Sequence, residues 1–129
     1  MTRASSEPAG EVILVVEDNE VSRRLVATVL EPHDYDLYFA KNGREAIEIA
    51  TQEHPALILM DLKLPGMSGH EVVELLKAKP ETADIPIVAL TAHAVGSERQ
   101  RAADAGCEGY IIKPIDTRAF ADQLKEYIH

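Results

Sequence analysis

The sequence predicts an α/β fold, a doubly wound parallel sheet covered by helices on both faces. Four short apolar runs, rich in β-branched residues, have the composition of strands buried on both sides; they lie at 12–16, 57–60, 85–90 and 110–112. Segments with apolar residues three or four positions apart separate them, as in amphipathic helices. Strands that alternate with helices through short connections are typical of a parallel sheet.

The strand and helix units repeat five times along the chain. Residues 1–10 are small and polar, include Pro8 and Gly10, and predict a flexible tail, so the folded domain should span 11–129. The run at 36–40 is the most amphipathic of the strands, which predicts a place at the edge of the sheet.

Apolar residues predict the buried face of each helix. They are Val21, Leu25 and Val29 in the first, Ile47 and Ala50 in the second, Val72, Leu75 and Leu76 in the third, and Phe120, Leu124 and Ile128 in the last. Asn42, Ser68 and Ser97 each precede a Glu or Gln by three positions, as in a capping box, and Asp116 is a candidate cap for the last helix. The helix over 97–105 has only alanines as apolar residues, so it should be weakly anchored.

Composition excludes several classes of protein. A chain of 129 residues with 46% hydrophobic and 27% charged residues has the make-up of one ordinary globular domain. Its net charge of −9 repels nucleic acid and anionic membranes. The single cysteine, Cys107, excludes an intrachain disulfide and favours a reducing compartment. No stretch approaches the roughly 20 apolar residues of a membrane span, so we expect a cytoplasmic protein.

Polar side chains follow four of the predicted strands, where ligands bind in parallel α/β sheets. These residues are Glu17, Asp18, Asp61, Thr91 and Lys113. Each alone is weak evidence, because a strand-end Asp often caps a helix and a strand-end Lys is often solvated. Three carboxylates that converge repel one another, and a cation would relieve that repulsion. Oxygen ligands without His or Cys suit Mg²⁺ far better than zinc.

Four motifs make the chain resemble the receiver domain of two-component response regulators. They are VVEDN at 15–19, LMDLKLPGM at 59–67, ALTA at 89–92 and YIIKP at 110–114. The resemblance covers residues 11–129 and implies a flavodoxin-like, CheY-like (βα)₅ sandwich with strand order 2-1-3-4-5. Among receivers the chain is most similar to stand-alone regulators of the DivK type and to receivers of hybrid kinases.

The resemblance also implies a role for each matching residue. Asp61 would be the phosphoacceptor, and Mg²⁺, or Mn²⁺ in its place, would be held by Glu17, Asp18, Asp61 and the backbone carbonyl of Lys63. Thr91 and Lys113 would contact the phosphoryl oxygens. Tyr110 would be the aromatic switch beside Thr91, Pro114 would follow a cis peptide bond, and Lys63 and His93 would tune the lifetime of the phosphoryl group.

These roles predict a single-domain response regulator, not an enzyme apart from self-catalysed phosphotransfer and dephosphorylation. A phosphohistidine on a sensor histidine kinase or a histidine phosphotransfer protein would be the donor. Phosphorylation would switch the surface formed by the 97–105 helix, the Tyr110 strand and the last helix for a downstream protein. We expect no contact with nucleic acid or membrane, and a monomer or weak dimer.

Three other functions fit the sequence less well. An aspartyl-nucleophile phosphatase usually needs a second acid two residues after the nucleophile, where this chain has Lys63. A receiver-shaped interaction module without a phosphate cycle has no reason to keep a destabilising acid cluster. A flavin-type cofactor site is also disfavoured, since the chain has no Trp.

The remaining candidate residues favour structural roles. The five histidines have no ligand spacing, and we expect most of them to be solvated at the surface; they are His33, His54, His70, His93 and His129. Cys107 should be a small buried apolar side chain. Gly66 and Gly69 lack the pattern of a phosphate-binding loop and are read as turn glycines.

Overall fold

The computed structural model describes residues 11–64, 66–92 and 96–128, so the predicted tail and His93 lie outside the described residues. Strands and helices alternate as predicted. The strands are β1 (Val12–Val16), β2 (Asp36–Ala40), β3 (Leu57–Asp61), β4 (Ile87–Thr91) and β5 (Gly109–Ile112). The helices are α1 (Glu20–Leu30), α2 (Gly43–Glu53), α3 (Gly69–Ala78), α4 (Gly96–Ala105) and α5 (Phe120–Lys125), and one 3₁₀ turn, Glu31–His33, follows α1.

The five strands form one parallel sheet in the order β2-β1-β3-β4-β5, which confirms the expected topology. β2 lies at one edge, as its amphipathic sequence predicts. Alternate side chains of the buried strands point into two apolar layers. One layer lies under α1 and α5, and the other lies under α2, α3 and α4. Because the strands are parallel, their carboxyl ends all lie at the same end of the sheet.

The predicted buried face of α1 is wrong for Val21 and Leu25, whereas Val29 is partly buried and packs on the apolar layer under this helix. Val26 and Leu30 are the buried residues of this helix, whereas Val21 is 75% exposed and Leu25 is 38% exposed. Two apolar stripes run along α1, and the structure turns the Val26 stripe toward the sheet. The same correction applies to Leu75 of α3, which is 44% exposed beside the buried Leu76. α1 thus presents apolar side chains to solvent.

The helix caps are confirmed at two of four predicted positions. Asn42 accepts a hydrogen bond from the Glu45 amide of α2, and Ser68 forms a full capping box with Glu71 at the start of α3. Ser97 does not cap α4, because that helix begins one residue earlier, at Gly96.

The capping prediction for α5 is also wrong. Asp116 accepts from the Arg118 amide through its side chain and from the amides of Ala119 and Phe120 through its carbonyl. It therefore closes a turn, after which α5 begins at Phe120 with Ala119 at the N-cap position. The loop between β5 and α5 is longer than the sequence pattern indicates.

β4 begins at Ile87, two residues later than predicted, because Pro86 has no amide to donate. On the next helix, α4, Ala102 and Ala105 are buried, which agrees with the weak anchoring expected for it. Among the described residues, no helix is both long and apolar enough to cross a membrane.

Candidate functional site

A cleft of about 460 Å³ opens where β1, β3, β4 and β5 end. It brings together all five residues that the sequence predicts at the strand ends, namely Glu17, Asp18, Asp61, Thr91 and Lys113. Glu17, Asp61 and Thr91 are buried, whereas Asp18 is exposed at the rim. Charged and polar side chains converge in this cleft, although the strands that lead to it are apolar.

Lys113 joins two acids of the cleft. Its Nζ lies 2.6 Å from Oε1 of Glu17 and 3.3 Å from Oδ2 of Asp61. The Lys113 side chain is about one quarter exposed, while both carboxylates are almost fully buried. Because the two acids have left water, the lysine charge offsets part of the cost of their burial.

The pKa values of Glu17 and Lys113 reflect this arrangement. Burial raises the pKa of Glu17, and the neighbouring Asp61 raises it further, although Lys113 works in the opposite direction. Burial disfavours the charge on Lys113, but its hydrogen bond to Glu17 and the negative charges of Asp61 and Glu17 together outweigh that effect and raise its pKa. The lysine therefore stays protonated, and Glu17 is a carboxylate that gains from a nearby cation.

Three carboxylates could hold a metal ion. One oxygen from each of Glu17, Asp18 and Asp61 lies within 4.8 Å of the others. All three ligands are oxygens, which is the donor set of a hard divalent cation such as Mg²⁺. The residues present therefore fit that ion on chemistry as well as on proximity.

Backbone contacts hold Asp61 in place. Its Oδ1 accepts a hydrogen bond of 2.9 Å from the Lys63 amide, so the turn after β3 orients the carboxylate. The start of α3 packs tightly against the same turn: a Cβ atom at Gly69 would lie 2.6 Å from the Asp61 carbonyl oxygen and clash. Gly69 is thus required for close packing, which is more than the turn role that the sequence suggests.

The β5 end of the cleft is formed by a cis peptide bond. The structure has the Lys113–Pro114 bond in the cis form, as the YIIKP motif implies. On the opposite side of the cleft, the Glu17 carbonyl accepts from the Arg23 guanidinium of α1 at 2.9 Å, and the Glu17 amide donates to Ala40. The cis peptide bond therefore fixes the backbone at Lys113, and hydrogen bonds fix the backbone at Glu17.

Tyr110 lies outside the cleft. Its ring packs against the apolar layer under α2, α3 and α4, and the Arg99 guanidinium of α4 lies 4.5 Å from the ring centroid. A groove of about 440 Å³ between α4 and β5 is lined by these two side chains. Tyr110 is therefore half-buried beside α4, and the residues that line the cleft do not include it.

Sequence reasoning missed two residues that line the cleft. His70, from the first turn of α3, has no ligand spacing that would point to a site, and Arg101 of α4 belongs to none of the motifs. Cys107 is only partly buried, although burial raises the pKa of its thiol to about 11, so it stays protonated and packs on the core. Lys63 is exposed at the rim of the cleft.

A second, more apolar cavity of about 280 Å³ adjoins the cleft. It lies between α1 and the segment after β5, and its walls include Leu25, Val26, Pro114 and Ile115. Glu17 and Lys113 line both cavities. The exposed apolar stripe of α1 therefore leads to the acid cluster.

Comparison with known proteins agrees with this geometry. The family model described as response regulator receiver domain matches residues 13–125. The polar-differentiation response regulator DivK of Brucella ovis (strain ATCC 25840 / 63/290 / NCTC 10512) is 40% identical over 116 residues, which cover 90% of this chain and 94% of DivK. Length and sequence thus both resemble those of this regulator.

Two solved structures are similar in fold and sequence. The receiver domain of the sensor histidine kinase PA1611 from Pseudomonas aeruginosa PAO1, with a magnesium ion in its active site cleft, has a TM-score of 0.86, 31% identity and coverage of 93% of this chain and 98% of that one. The receiver domain of Ssk1, in complex with the Saccharomyces cerevisiae histidine phosphotransfer signaling protein Ypd1, has a TM-score of 0.84, 30% identity and coverage of 93% and 90%.

Proposed function

We propose that this chain, which belongs to the response regulator receiver domain family, accepts a phosphoryl group on Asp61 from a phosphohistidine and passes the signal to a protein partner. The observation that carries the proposal is the position of the Asp61 carboxylate. It is buried at the base of a cleft, oriented by the Lys63 amide and placed 3.3 Å from the Lys113 ammonium group.

The transfer step needs little from the protein beyond position and charge. A carboxylate oxygen of Asp61 attacks phosphorus, a P–O bond forms, and the P–N bond to the donor imidazole breaks. The electron pair of that bond returns to the imidazole, which takes up a proton and leaves neutral. Lys113 and the Thr91 hydroxyl would bind the transferring oxygens, so the chain assists its own phosphorylation without acting on a separate substrate.

Mg²⁺ fits as the resident ion, and Mn²⁺ is the alternative ion for the same ligands. Glu17, Asp18, Asp61 and the backbone carbonyl of Lys63 would hold it. The ion supplies positive charge that neutralises the phosphoryl oxygens. Lys113 alone faces two carboxylates, so a phosphoryl group would leave the cleft with excess negative charge.

The donor would dock over α1. A phosphohistidine must come within bonding reach of Asp61, so its protein must cover the rim of the cleft. The cavity beside the cleft has apolar walls that include Leu25, Pro114 and Ile115, and Val21 is exposed on the same helix as Leu25. Such a surface is suited to a helix of a histidine kinase or a histidine phosphotransfer protein. Because such kinases draw phosphate from ATP, we place the exchange in the cytoplasm.

The output surface would be formed by α4, β5 and α5. Thr91 ends β4 and Tyr110 lies on the neighbouring strand, so inward movement of the Thr91 hydroxyl would open space for the Tyr110 ring. The groove between α4 and β5 then changes shape, and a downstream protein reads the change.

Phosphorylation by a small donor tests the proposal. Purified protein incubated with acetyl phosphate and Mg²⁺ should gain one phosphoryl group by intact mass, and the Asp61→Asn variant should not. Asp122→Asn, which removes the same charge on α5, should behave like wild type. An adduct of equal yield in Asp61→Asn would show that another residue is the main acceptor.

A further inference from the structure

We propose that Arg101 of α4 binds the phosphoryl group on Asp61 and thereby ties α4 to the phosphorylated site. The inference rests on the proposed function and adds a residue that no sequence motif indicates. Arg101 lies on the wall of the cleft, together with Asp61, Thr91 and Lys113. It is exposed, so its long side chain has room to change conformation toward a new anion.

Phosphorylation changes the charge that Arg101 faces. An acyl phosphate on Asp61 carries about one more negative charge than the carboxylate and presents three terminal oxygens. In the unphosphorylated cleft, Lys113 is already engaged by two carboxylates. A guanidinium group offers a planar pair of N–H donors, which matches two phosphoryl oxygens better than a second point charge would.

The weak anchoring of α4 makes such a contact effective. Ala102 and Ala105 are its buried apolar residues among those whose side chains are described. Two alanines bury little area, so apolar packing holds this helix less firmly than a helix with Leu or Val on its inner face. The free energy of one charge-assisted contact is therefore large compared with the free energy of the apolar packing that holds α4.

A second arginine on α4 would connect a shift of this helix to the switch tyrosine. Arg99 lies over the Tyr110 ring, two residues before Arg101, and faces the groove instead of the cleft. A shift of α4 that brings Arg101 toward the phosphoryl group must also move Arg99 relative to Tyr110. α4 would then report the charge at Asp61 directly, alongside the path through Thr91.

Beryllofluoride, a mimic of the phosphoryl group, tests the proposal through the melting temperature. At saturating Mg²⁺, the midpoint concentration of beryllofluoride that stabilises the protein should rise about fivefold in Arg101→Gln, as expected for loss of one partly exposed charge-assisted contact. Arg101→Lys should recover part of the loss. Arg118→Gln removes the same charge from an exposed arginine that lines neither the cleft nor the groove, and it should stay within about twofold of wild type.

A titration with Mg²⁺ alone separates this role from a purely structural one. Arg101 would bind the anion and not the metal, so Arg101→Gln should keep the wild-type Mg²⁺ midpoint. Equal beryllofluoride midpoints in Arg101→Gln and wild type would overturn the inference and leave Asp61 as the acceptor. Equal rises in Arg101→Gln and Arg118→Gln would also overturn it, because they would indicate a general charge effect. A wild-type protein that ignores beryllofluoride would overturn both proposals.

Discussion

The ammonium group of Lys113 lies 2.6 Å from Oε1 of Glu17, although the two residues are 96 positions apart in the chain. Glu17 is almost fully buried, and burial raises its pKa. Such a group is stabilising when protonated, so its favourable contribution is present below pH 4.5 and is lost as pH rises through the raised value. At neutral pH the positive charge of Lys113 offsets part of the free-energy cost of burying an ionised Glu17.

The Lys113→Met variant should therefore lose stability in metal-free buffer, with a loss that grows with pH. The substitution leaves the buried carboxylates of Glu17 and Asp61 without their cation. Because Lys113 is partly exposed, we expect the free energy of unfolding to fall by about 2 kcal/mol. The deficit relative to wild type should be larger at pH 8 than at pH 5, where Glu17 protonates more readily. Urea unfolding in EDTA, followed by circular dichroism, measures both values.

Lys125→Met on the exposed face of α5 is the charge-matched control, and it should unfold like wild type at both pH values. A Lys113→Met deficit that does not change between pH 5 and pH 8 would contradict the electrostatic explanation. It would instead indicate that the lysine contributes through packing of its side chain.

The acid cluster as a whole should lower stability when metal is absent. Asp18 is exposed and has a carboxylate oxygen within 4.8 Å of those of Glu17 and Asp61, so Asp18→Asn relieves repulsion without opening a cavity. In EDTA this variant should melt roughly 2 to 4 °C above wild type. Added Mg²⁺ should stabilise wild type more and close the gap.

Differential scanning calorimetry with and without Mg²⁺ measures both effects. Asp122→Asn removes an acid in the first turn of α5, away from the cluster, and should not raise the melting temperature. If Asp18→Asn melts below wild type in EDTA, the three carboxylates do not destabilise the free protein.

The site residues were predictable because of a geometric rule. In a parallel sheet all strands end at the same edge, so the residues after each apolar run must converge whatever the details of packing. Glu17, Asp61 and Lys113 follow from that rule alone. The strands themselves are short apolar runs, which give the strongest local pattern in this chain.

Other features depend on tertiary contacts that a local pattern does not contain. α1 carries two apolar stripes, and only packing against the sheet decides that Val26 is buried and Val21 is exposed. α4 has no strong apolar stripe, so the pattern could not indicate that Arg101 faces the cleft. The exposed face of α1 and the position of Arg101 both belong to surfaces that we propose for binding, where side chains do not contribute to the core.

Activation should alter α4 and β5 more than the first two helices. α4 has few apolar anchors, and its Arg99 contacts Tyr110 on β5. Hydrogen exchange with Mg²⁺ and beryllofluoride should therefore change most in residues 92–110. The same experiment on Asp61→Asn is the control and should show no such change. A response confined to α1 and α2 would contradict the assignment of the output surface.

The phosphoryl lifetime should be long unless a partner removes the group. Hydrolysis needs a water in line with the phosphoryl bond of Asp61, and the side chains two residues beyond Asp61 and Thr91 flank that approach in receivers. Here these are Lys63, exposed at the cleft rim, and His93. Neither offers the carboxylate or carboxamide that would orient a water, and we expect a long lysine together with an imidazole to obstruct its path. Cations can also speed hydrolysis by stabilising the transition state, but Lys113 already supplies positive charge beside Asp61.

We therefore expect Lys63→Asn combined with His93→Glu to shorten the lifetime about fivefold. Loss of radiolabel from the purified, partner-free protein measures it, with Lys125→Asn as a control for the lost surface charge. A lifetime that is unchanged or longer in the double variant would show that the cations do not obstruct water, and Asp61 would remain the proposed acceptor.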